Sequence, residues 1–306
     1  MKTVILLIVT SILWAGNFVA GKDLVGHASA LTLTELRWLL SAVCLVPVIR
    51  LTEQKFWPQK STWLPLVGMS ATGVVLFNVF TYQALEHTSA DQVGLLSALN
   101  PLAIALASLF FLRERLRGLQ WIGMFISLAG VVVVITSGRL MKLLQLQVNQ
   151  GDLWMLLAVA IWGIYAVFSR QAMRDVSPYL ATFWSAAIGA VVCLPFTASG
   201  LYHLPAYPAF WYAAGYTAVL GTVVAMVFWN LGVLRMGGTV AGMFLNLNPI
   251  FTVLIAFFTL DETVGWAEWL GTALVIGGML LFAVRKPLRR HRVQAKLADS
   301  LSCQED

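Results

Sequence analysis

The chain alternates between long apolar blocks and short polar clusters. Ten blocks of roughly twenty residues lie near 3–22, 31–50, 63–84, 90–112, 119–137, 152–172, 178–197, 209–232, 238–260 and 266–285. A helix of that length crosses the hydrocarbon core of a bilayer, which is about 30 Å thick. The first block is too long for a signal peptide, and polar Asn17 interrupts it. The pattern therefore predicts an all-α membrane protein with ten transmembrane helices.

Lysine and arginine are unevenly distributed between the alternate loops. If the N-terminus lies inside, the inner segments hold sixteen of these residues and the outer segments hold three. Cytoplasmic loops are enriched in Lys and Arg, so we expect both termini to face the cytoplasm, in the cytoplasmic (inner) membrane. Six basic residues lie between Arg285 and Lys296. Beside the last span they predict contact with anionic membrane lipid, and the sequence shows no sign of nucleic-acid binding.

Composition agrees with this class of protein. The 306 residues are 59% hydrophobic and 11% charged, with a mean hydropathy of +0.81. Soluble domains carry about 25% charged residues. The three cysteines (Cys44, Cys193 and Cys303) are scattered along the chain and have neither a disulfide framework nor metal-ligand spacing. We expect no metal and no other cofactor.

The chain matches itself at an offset of 148 residues. Trp14 pairs with Trp162, Pro47 with Pro195, and Leu-Asn-Pro at 99–101 with the same tripeptide at 247–249. Five spans per half is an odd number, so the second half must enter the membrane from the opposite face. Inverted repeats are typical of secondary transporters, with the substrate near the midplane. We predict a first five-helix repeat at 1–138, a linker at 139–150, a second repeat at 151–286 and a basic tail at 287–306.

Three motifs resemble those of a known family. They are Trp-Ala-Gly-Asn-Phe-Val at 14–19, Leu-Arg-Trp at 36–38, and Asn-Pro followed thirteen residues later by Glu, which occurs in both halves. The chain is similar to EamA-type transporters of the drug/metabolite transporter superfamily. The resemblance implies ten helices and the movement of small metabolites, often amino acids or related compounds, usually outward. Ser185 stands where the first half has Arg37, so the role of this arginine is not shared by both halves.

The Asn-Pro pairs fall near the middle of spans four and nine. Pro101 and Pro249 are predicted to kink these helices, because proline removes a backbone hydrogen bond and displaces a carbonyl. Such carbonyls are tolerated in a membrane only where protein or a wet cavity receives them. Asn100 and Asn248 could satisfy their own broken helices, or they could line a central cavity and bind polar groups of a substrate.

Further amides and rings lie inside the spans. Trp14 and Asn17 share one helix face, and Trp162 and Tyr165 repeat this arrangement. Simple helix packing is the alternative role for these two tryptophans. We predict a cavity of amides and aromatic rings, suited to an amphipathic small molecule, to which the following residues also contribute: Asn78, Tyr82, Asn230 and Asn246. Eight further tryptophans lie near span ends and predict an interfacial belt: Trp38, Trp57, Trp63, Trp121, Trp154, Trp211, Trp266 and Trp269.

Glu35 and Arg37 are the charges placed clearly inside a span, near the outer end of span two. Charges inside a membrane are costly and are candidates for function. We assign them a gating or coupling role, with Glu35 as a candidate for a coupling proton. The alternative is that both reach the interface or a structural partner.

The leading hypothesis is a secondary transporter that exports a small amphipathic metabolite, such as an amino acid or related compound, by alternating access. A multidrug or toxic-compound exporter is the alternative, and a lipid-modifying membrane enzyme is less well supported. The four histidines lie in loops and the tail (His27, His87, His203 and His291), so no catalytic cluster is evident and we predict no enzyme. The sequence does not define the oligomeric state.

Overall fold

The structure, a computed structural model, describes residues 2–114, 116–136, 149–251 and 265–283. Within these residues the chain is helical and forms no strand, and eleven helices are used in the description below. We number them in chain order: α1 Lys2–Leu24, α2 Ala30–Thr52, α3 Lys60–His87, α4 Ala90–Ser97, α5 Asn100–Leu112, α6 Gly118–Thr136, α7 Gln150–Ala172, α8 Pro178–Tyr202, α9 Pro208–Met236, α10 Gly238–Met243 and α11 Trp266–Ala283.

Seven segments of the described chain are long and apolar enough to cross a membrane. They are α1, α2, α3, α7, α8, α9 and the stretch Gln92–Leu112, which contains most of α4 and all of α5. Predicted spans five and ten correspond to shorter apolar stretches, Gly118–Val134 and Trp269–Phe282. Most of the linker, the basic tail and the second part of span nine lie outside the described residues. The count of ten spans therefore stays a prediction.

Burial in this bundle is that of a membrane protein. Apolar side chains such as Val191 and Phe196 are more than 70% exposed on the outside. Polar side chains such as Asn78 and Asn230 are almost fully buried inside. Lipid is as apolar as the core, so exposed apolar side chains carry no penalty there, whereas polar groups must find partners within the protein. The chain is therefore a multi-pass membrane protein.

The helix starts carry matched polar caps. Ser29 accepts a hydrogen bond from the backbone N–H of Thr32 at the start of α2, and Ser177 does the same for Leu180 in α8. These two serines are 148 residues apart. A side-chain oxygen at this position satisfies one of the N–H groups that the first helical turn leaves unpaired.

Both halves contain the same departure from α-helical geometry. α3 is π-helical over Ser70–Leu76, and α9 is π-helical over Tyr216–Val224. The two stretches end at positions 148 residues apart. A π-helical stretch widens the hydrogen-bond spacing and changes which carbonyls find partners in the same helix, and it is frequent at functional sites.

Helical geometry changes immediately before each Asn-Pro pair. α4 ends at Ser97, and α5 starts at Asn100 with Pro101 in its first turn. In the second half a 3₁₀ turn, Phe244–Leu247, follows α10, and residues 248–251 are helical again. Proline suits the first turn of a helix because its missing N–H would have no partner there. The helix is thus interrupted by a turn immediately before Asn100 and tightened to 3₁₀ geometry immediately before Asn248. The kinks at Pro101 and Pro249 stay a prediction.

Helices α6 and α11 run antiparallel and pack closely against each other at glycine residues. A Cβ at Gly123 would lie 2.7 Å from the carbonyl oxygen of Gly278, and a Cβ at Gly130 would lie 2.6 Å from that of Gly271. The offset of 148 exchanges the two pairs, because it carries Gly123 to Gly271 and Gly130 to Gly278. Equivalent helices of the two halves therefore pack antiparallel, and the glycines let their backbones approach closely.

Gly278 and its neighbour Gly277 provide a matched test of this packing. A Cβ at Gly278 would meet the Ser127 backbone nitrogen at 2.5 Å, whereas one at Gly277 meets nothing within 4 Å. We expect Gly278→Ala to destabilise the protein by about 1–3 kcal/mol, because the helices must separate. Gly277→Ala should be neutral or slightly stabilising, since alanine is the better helix former. Thermal unfolding in detergent checks both, and equal midpoints for the two variants would contradict the glycine contact.

Candidate functional site

A cavity lies between α1, α2, α3, α5, α7, α9 and the turn that follows α10, and its empty volume of about 510 Å³ includes space that is open to the outside. Seven of the predicted residues line it: Trp14, Asn17, Arg37, Asn78, Asn100, Trp162 and Asn248. The other lining residues are Phe18, Trp38, Gly73, Phe77, Thr81, Met226 and Leu245. The cavity thus combines aromatic rings, amides and one charge.

Arg37 projects from α2 and is 8% exposed. Its Nε donates to Thr222 Oγ1 at 2.6 Å, and one terminal nitrogen donates to Asn78 Oδ1 at 2.8 Å. The other terminal nitrogen donates to the carbonyl oxygen of Gly221 at 3.2 Å. The guanidinium therefore joins α2 to α3 and to the π-helical stretch of α9. Tyr82 does not line the cavity, but its hydroxyl lies beside the Arg37 guanidinium.

The π-helical stretches explain why these side chains converge. In α9 the carbonyl oxygen of Gly221 also accepts from Trp14 Nε1 at 2.9 Å. In α3 the amide nitrogen of Asn78 donates to the carbonyl oxygens of Gly73 and Val74, each at 2.9 Å. The two halves thus use different side chains to satisfy carbonyls at equivalent positions, because Gly73 and Gly221 are 148 residues apart.

Glycine allows close approach at both of these positions. A Cβ at Gly73 would lie 2.6 Å from Cε2 of Tyr165, and one at Gly221 would lie 3.0 Å from Cγ of Asn17. Asn17 and Tyr165 are themselves equivalent under the offset. The duplicated sequence therefore packs α1 on α9, and α7 on α3, by the same contact.

Aromatic rings form one wall of the cavity. The ring centroids of Trp14 and Trp162 are 5.4 Å apart, and those of Phe77 and Trp162 are 4.6 Å apart. Trp38 also lines the cavity and is 1% exposed, so its assignment to the interfacial belt is wrong. In the sequence, its position directly after Arg37 was the feature that indicated a place near the cavity. Met226 could also have been found, because it is equivalent to Asn78, whereas the remaining apolar lining residues carried no signal.

Tyr165 and Asn230 do not line the cavity but form a buried network behind it. Asn230 Oδ1 accepts from the Tyr165 hydroxyl at 3.1 Å and from Ser169 Oγ at 2.8 Å. Its amide nitrogen donates to Thr182 Oγ1 at 2.9 Å. Asn230 is fully buried. Its polar atoms therefore hold α7, α8 and α9 together.

Several other predicted residues also lie outside the cavity lining. Asn246 donates from its amide nitrogen to Ser127 Oγ at 2.8 Å, which ties the turn after α10 to α6. Glu35 is 1% exposed and does not line the cavity. Pro101 and Pro249 are not lining residues, although each immediately follows an asparagine that is.

Polar contacts tie the helices at both ends of the bundle. At the end where α1 begins, Arg170 of α7 pairs with Glu114, which follows α5. At the opposite end, the Lys22 ammonium donates to the carbonyl oxygens of Leu85 and Thr88, at 2.5 and 2.9 Å. Within the described residues no group of three His, Cys, Asp or Glu side chains could hold a metal ion.

A multi-pass helical bundle around a central cavity of rings and amides is the arrangement expected of a membrane transporter. The sequence model of the EamA-like transporter family matches residues 1–136 and matches again at 149–284. The chain belongs to this family. The family and its relatives point to a transporter rather than an enzyme.

Relatives of similar length carry transporter names. The chain is 28% identical to the uncharacterized transporter YyaM of Bacillus subtilis, covering 90% of this chain and 92% of the relative. It is 26% identical to an uncharacterized transporter of Archaeoglobus fulgidus, covering 93% and 98%. It is 22% identical to the uncharacterized inner membrane transporter YedA of Escherichia coli, covering 90% and 89%.

A solved crystal structure has the same fold. Its TM-score to this chain is 0.70 at 21% sequence identity, and the match covers 94% of this chain and 99% of the other. At this identity the likeness concerns the fold alone.

The Asn230 network gives a prediction about stability. Asn230→Leu removes two acceptor contacts and one donor contact in the buried interior, so we expect a loss of about 2–4 kcal/mol. Tyr165→Phe removes one hydroxyl and leaves Ser169 and Thr182 bonded to Asn230, so its loss should be smaller. Unfolding midpoints in detergent measure both. A larger loss in Tyr165→Phe than in Asn230→Leu would refute the network as the reason for this asparagine.

Proposed function

We propose that this protein is a secondary transporter that exports a small amphipathic metabolite by alternating access. The observation that carries the proposal is the central cavity, to which both halves contribute equivalent residues: Trp14 with Trp162, and Asn100 with Asn248. A substrate site at the interface of two repeats is the arrangement of secondary transporters. Cavity lining is also the role we propose for the asparagines of the two Asn-Pro pairs.

We further propose ten spans in two halves of opposite orientation, with both termini in the cytoplasm. The antiparallel contact of α6 and α11, whose glycine pairs the offset exchanges, supports the inversion. The excess of Lys and Arg on one side supports the orientation. Location in the cytoplasmic membrane follows from the same charge distribution.

The moving groups in this proposal are mixtures of helices from the two halves. α7 packs against α3 and α5, whereas α1 packs against α9 and against the turn Phe244–Leu247. Lys22 connects these two groups at the end opposite the start of α1, because it extends from α1 to the end of α3. Alternation requires this connection to break when the cavity opens toward that end.

Asn100 and Asn246 provide the central test of the cavity. We expect Asn100→Leu to reduce transport at least about tenfold, because a lining amide lost from a polar site leaves the substrate group unpaired. Asn246→Leu is the control, since it removes a buried amide outside the cavity. Its effect should be on stability, with flux per folded molecule retained.

The measurement has two stages. Cells that overexpress the protein are first compared with control cells for the metabolites they release. The compound that increases is then loaded into proteoliposomes, and its flux is measured for wild type and both variants. Equal flux in wild type and Asn100→Leu would refute the role of the cavity, and absence of any released compound would count against export.

A further inference from the structure

The cavity contains one positive charge that no described carboxylate neutralises. The guanidinium of Arg37 has three hydrogen-bonded acceptors, and all are uncharged: a hydroxyl, an amide oxygen and a backbone carbonyl. Among the residues that the structure describes, the ion pair of Arg170 with Glu114 is the single salt bridge. A buried charge without a counter-ion is costly, so a ligand that supplies one is favoured.

The arginine keeps donor capacity beyond the three bonds it makes. A guanidinium has five N–H groups, and each terminal nitrogen carries two. Each terminal nitrogen of Arg37 makes one of the bonds described above, which leaves a second N–H on each. The Tyr82 hydroxyl lies beside the guanidinium and can accept from one of them. One N–H therefore remains to donate to a carboxylate oxygen, and the positive charge remains without a counter-ion.

Two indoles add unpaired donors to the same cavity. Trp162 Nε1 and Trp38 Nε1 are buried and have no hydrogen-bond partner within the described residues. The two halves differ here. Trp14 donates to the carbonyl oxygen of Gly221, whereas the equivalent carbonyl of Gly73 accepts from Asn78 and not from Trp162. Trp162 thus has a donor that its own backbone does not use.

We propose that the cavity binds the carboxylate of its substrate at Arg37, with the N–H of Trp162 as a further donor. The apolar part of the substrate packs on the rings of Trp14 and Phe77. The substrate class is therefore a small monocarboxylate with an apolar or aromatic body. This proposal extends the proposed transport function. It rests on that function in one respect, because the bound ligand is taken to be the transported substrate.

The duplication limits the cavity to one carboxylate. The positions equivalent to Arg37 and Asn78 are Ser185 and Met226, which are uncharged. Met226 lines the cavity and makes that side apolar. A dicarboxylate or a polyphosphate would need a second cationic group, and the described lining residues contain none.

The unpaired acceptors in the cavity suggest how amino acids would fit within this class. The side-chain oxygens of Asn17 and Asn100 are buried without a hydrogen-bond partner among the described residues. An ammonium group supplies donors for such oxygens. An α-amino acid with an apolar side chain therefore satisfies both sets of groups, whereas a simple carboxylate satisfies the donors alone.

Three probes of similar shape separate these contributions. 3-Phenylpropionate has the carboxylate alone, L-phenylalanine has carboxylate and ammonium, and L-phenylalaninamide has the ammonium alone. Binding to the purified full-length protein in detergent is measured by quenching of tryptophan fluorescence and by isothermal titration. We expect both carboxylates to bind at least about tenfold more tightly than the amide, as a charged hydrogen bond would give.

Substitutions at equivalent positions of the two halves assign this preference to Arg37. Arg37→Gln should bring the ratio of carboxylate to amide affinity close to one, and Arg37→Lys should give an intermediate ratio because lysine keeps the charge but loses the planar guanidinium. Ser185→Ala is the matched control and should keep the wild-type ratio. The ratio separates a ligand contact from a structural role, since general loosening of the site would weaken all three probes together.

A measurement on the wild-type protein covers the case in which the arginine variants do not fold. The affinity of 3-phenylpropionate is measured as the pH is lowered and its carboxylate becomes protonated, with L-phenylalaninamide as the control. The affinity of 3-phenylpropionate should fall, because the neutral acid no longer pairs with the buried guanidinium, and that of the amide should change less. An affinity of 3-phenylpropionate that does not depend on this protonation would refute the contact.

The remaining outcomes are also decisive. Equal affinity of the amide and the carboxylates, an unchanged ratio in Arg37→Gln, or no binding of any probe would overturn the carboxylate site. If wild type shows the expected ratio but proteoliposomes exchange none of the probes, the carboxylate site stands and the transport proposal fails. If the amide is transported as well as the carboxylates, transport stands and the carboxylate site fails.

Discussion

The carbonyl oxygen of Gly221 is the group around which the helices of the site are arranged. It belongs to the π-helical stretch of α9 and accepts hydrogen bonds from both Trp14 and Arg37. A backbone carbonyl without a partner would be costly in a membrane, where no water can replace the missing bond. The bonds therefore fasten α1 and α2 to α9. They also place an indole and a guanidinium at the wall of the cavity, so one local departure from α-helical geometry determines both packing and chemistry.

The two copies of the repeat keep the same backbone and differ in side chains. Both have a π-helical stretch with a glycine at its contact with the other half, and both depart from α-helical geometry immediately before Asn-Pro. Their polar groups differ: Arg37 faces Asn78 in one copy, while Ser185 and Met226 occupy the equivalent positions. The shared features position the helices, and the unshared ones make the cavity chemically asymmetric. A single cation in an otherwise neutral site is the result.

The offset of 148 and the apolar blocks predicted most of what the structure describes, because both depend on spacing along the chain. Lining positions such as Trp14 and Asn100 could be predicted because they recur in the middle of a span in both halves. Such groups are costly to expose to lipid, so their recurrence indicates an internal surface. Trp38 was assigned wrongly, since distance from a span end cannot distinguish an indole facing lipid headgroups from one facing a cavity. Asn230 and Tyr165 were placed in the site although they bond to each other behind it. Hydrogen-bond partners on other helices are decided by tertiary packing, which periodicity does not contain.

Arg37 also connects the two helix groups that move relative to each other in the proposed alternating-access mechanism. Asn78 is on α3, in the group with α5 and α7, whereas Thr222 and Gly221 are on α9, in the group with α1. A ligand can shift a conformational equilibrium only if it binds the two states with different affinity. A ligand that engages this guanidinium competes with, or reorients, bonds that span both groups. The binding free energy of the ligand must then depend on the relative position of the two helix groups. This dependence is the thermodynamic condition for coupling ligand binding to the side from which the cavity is open.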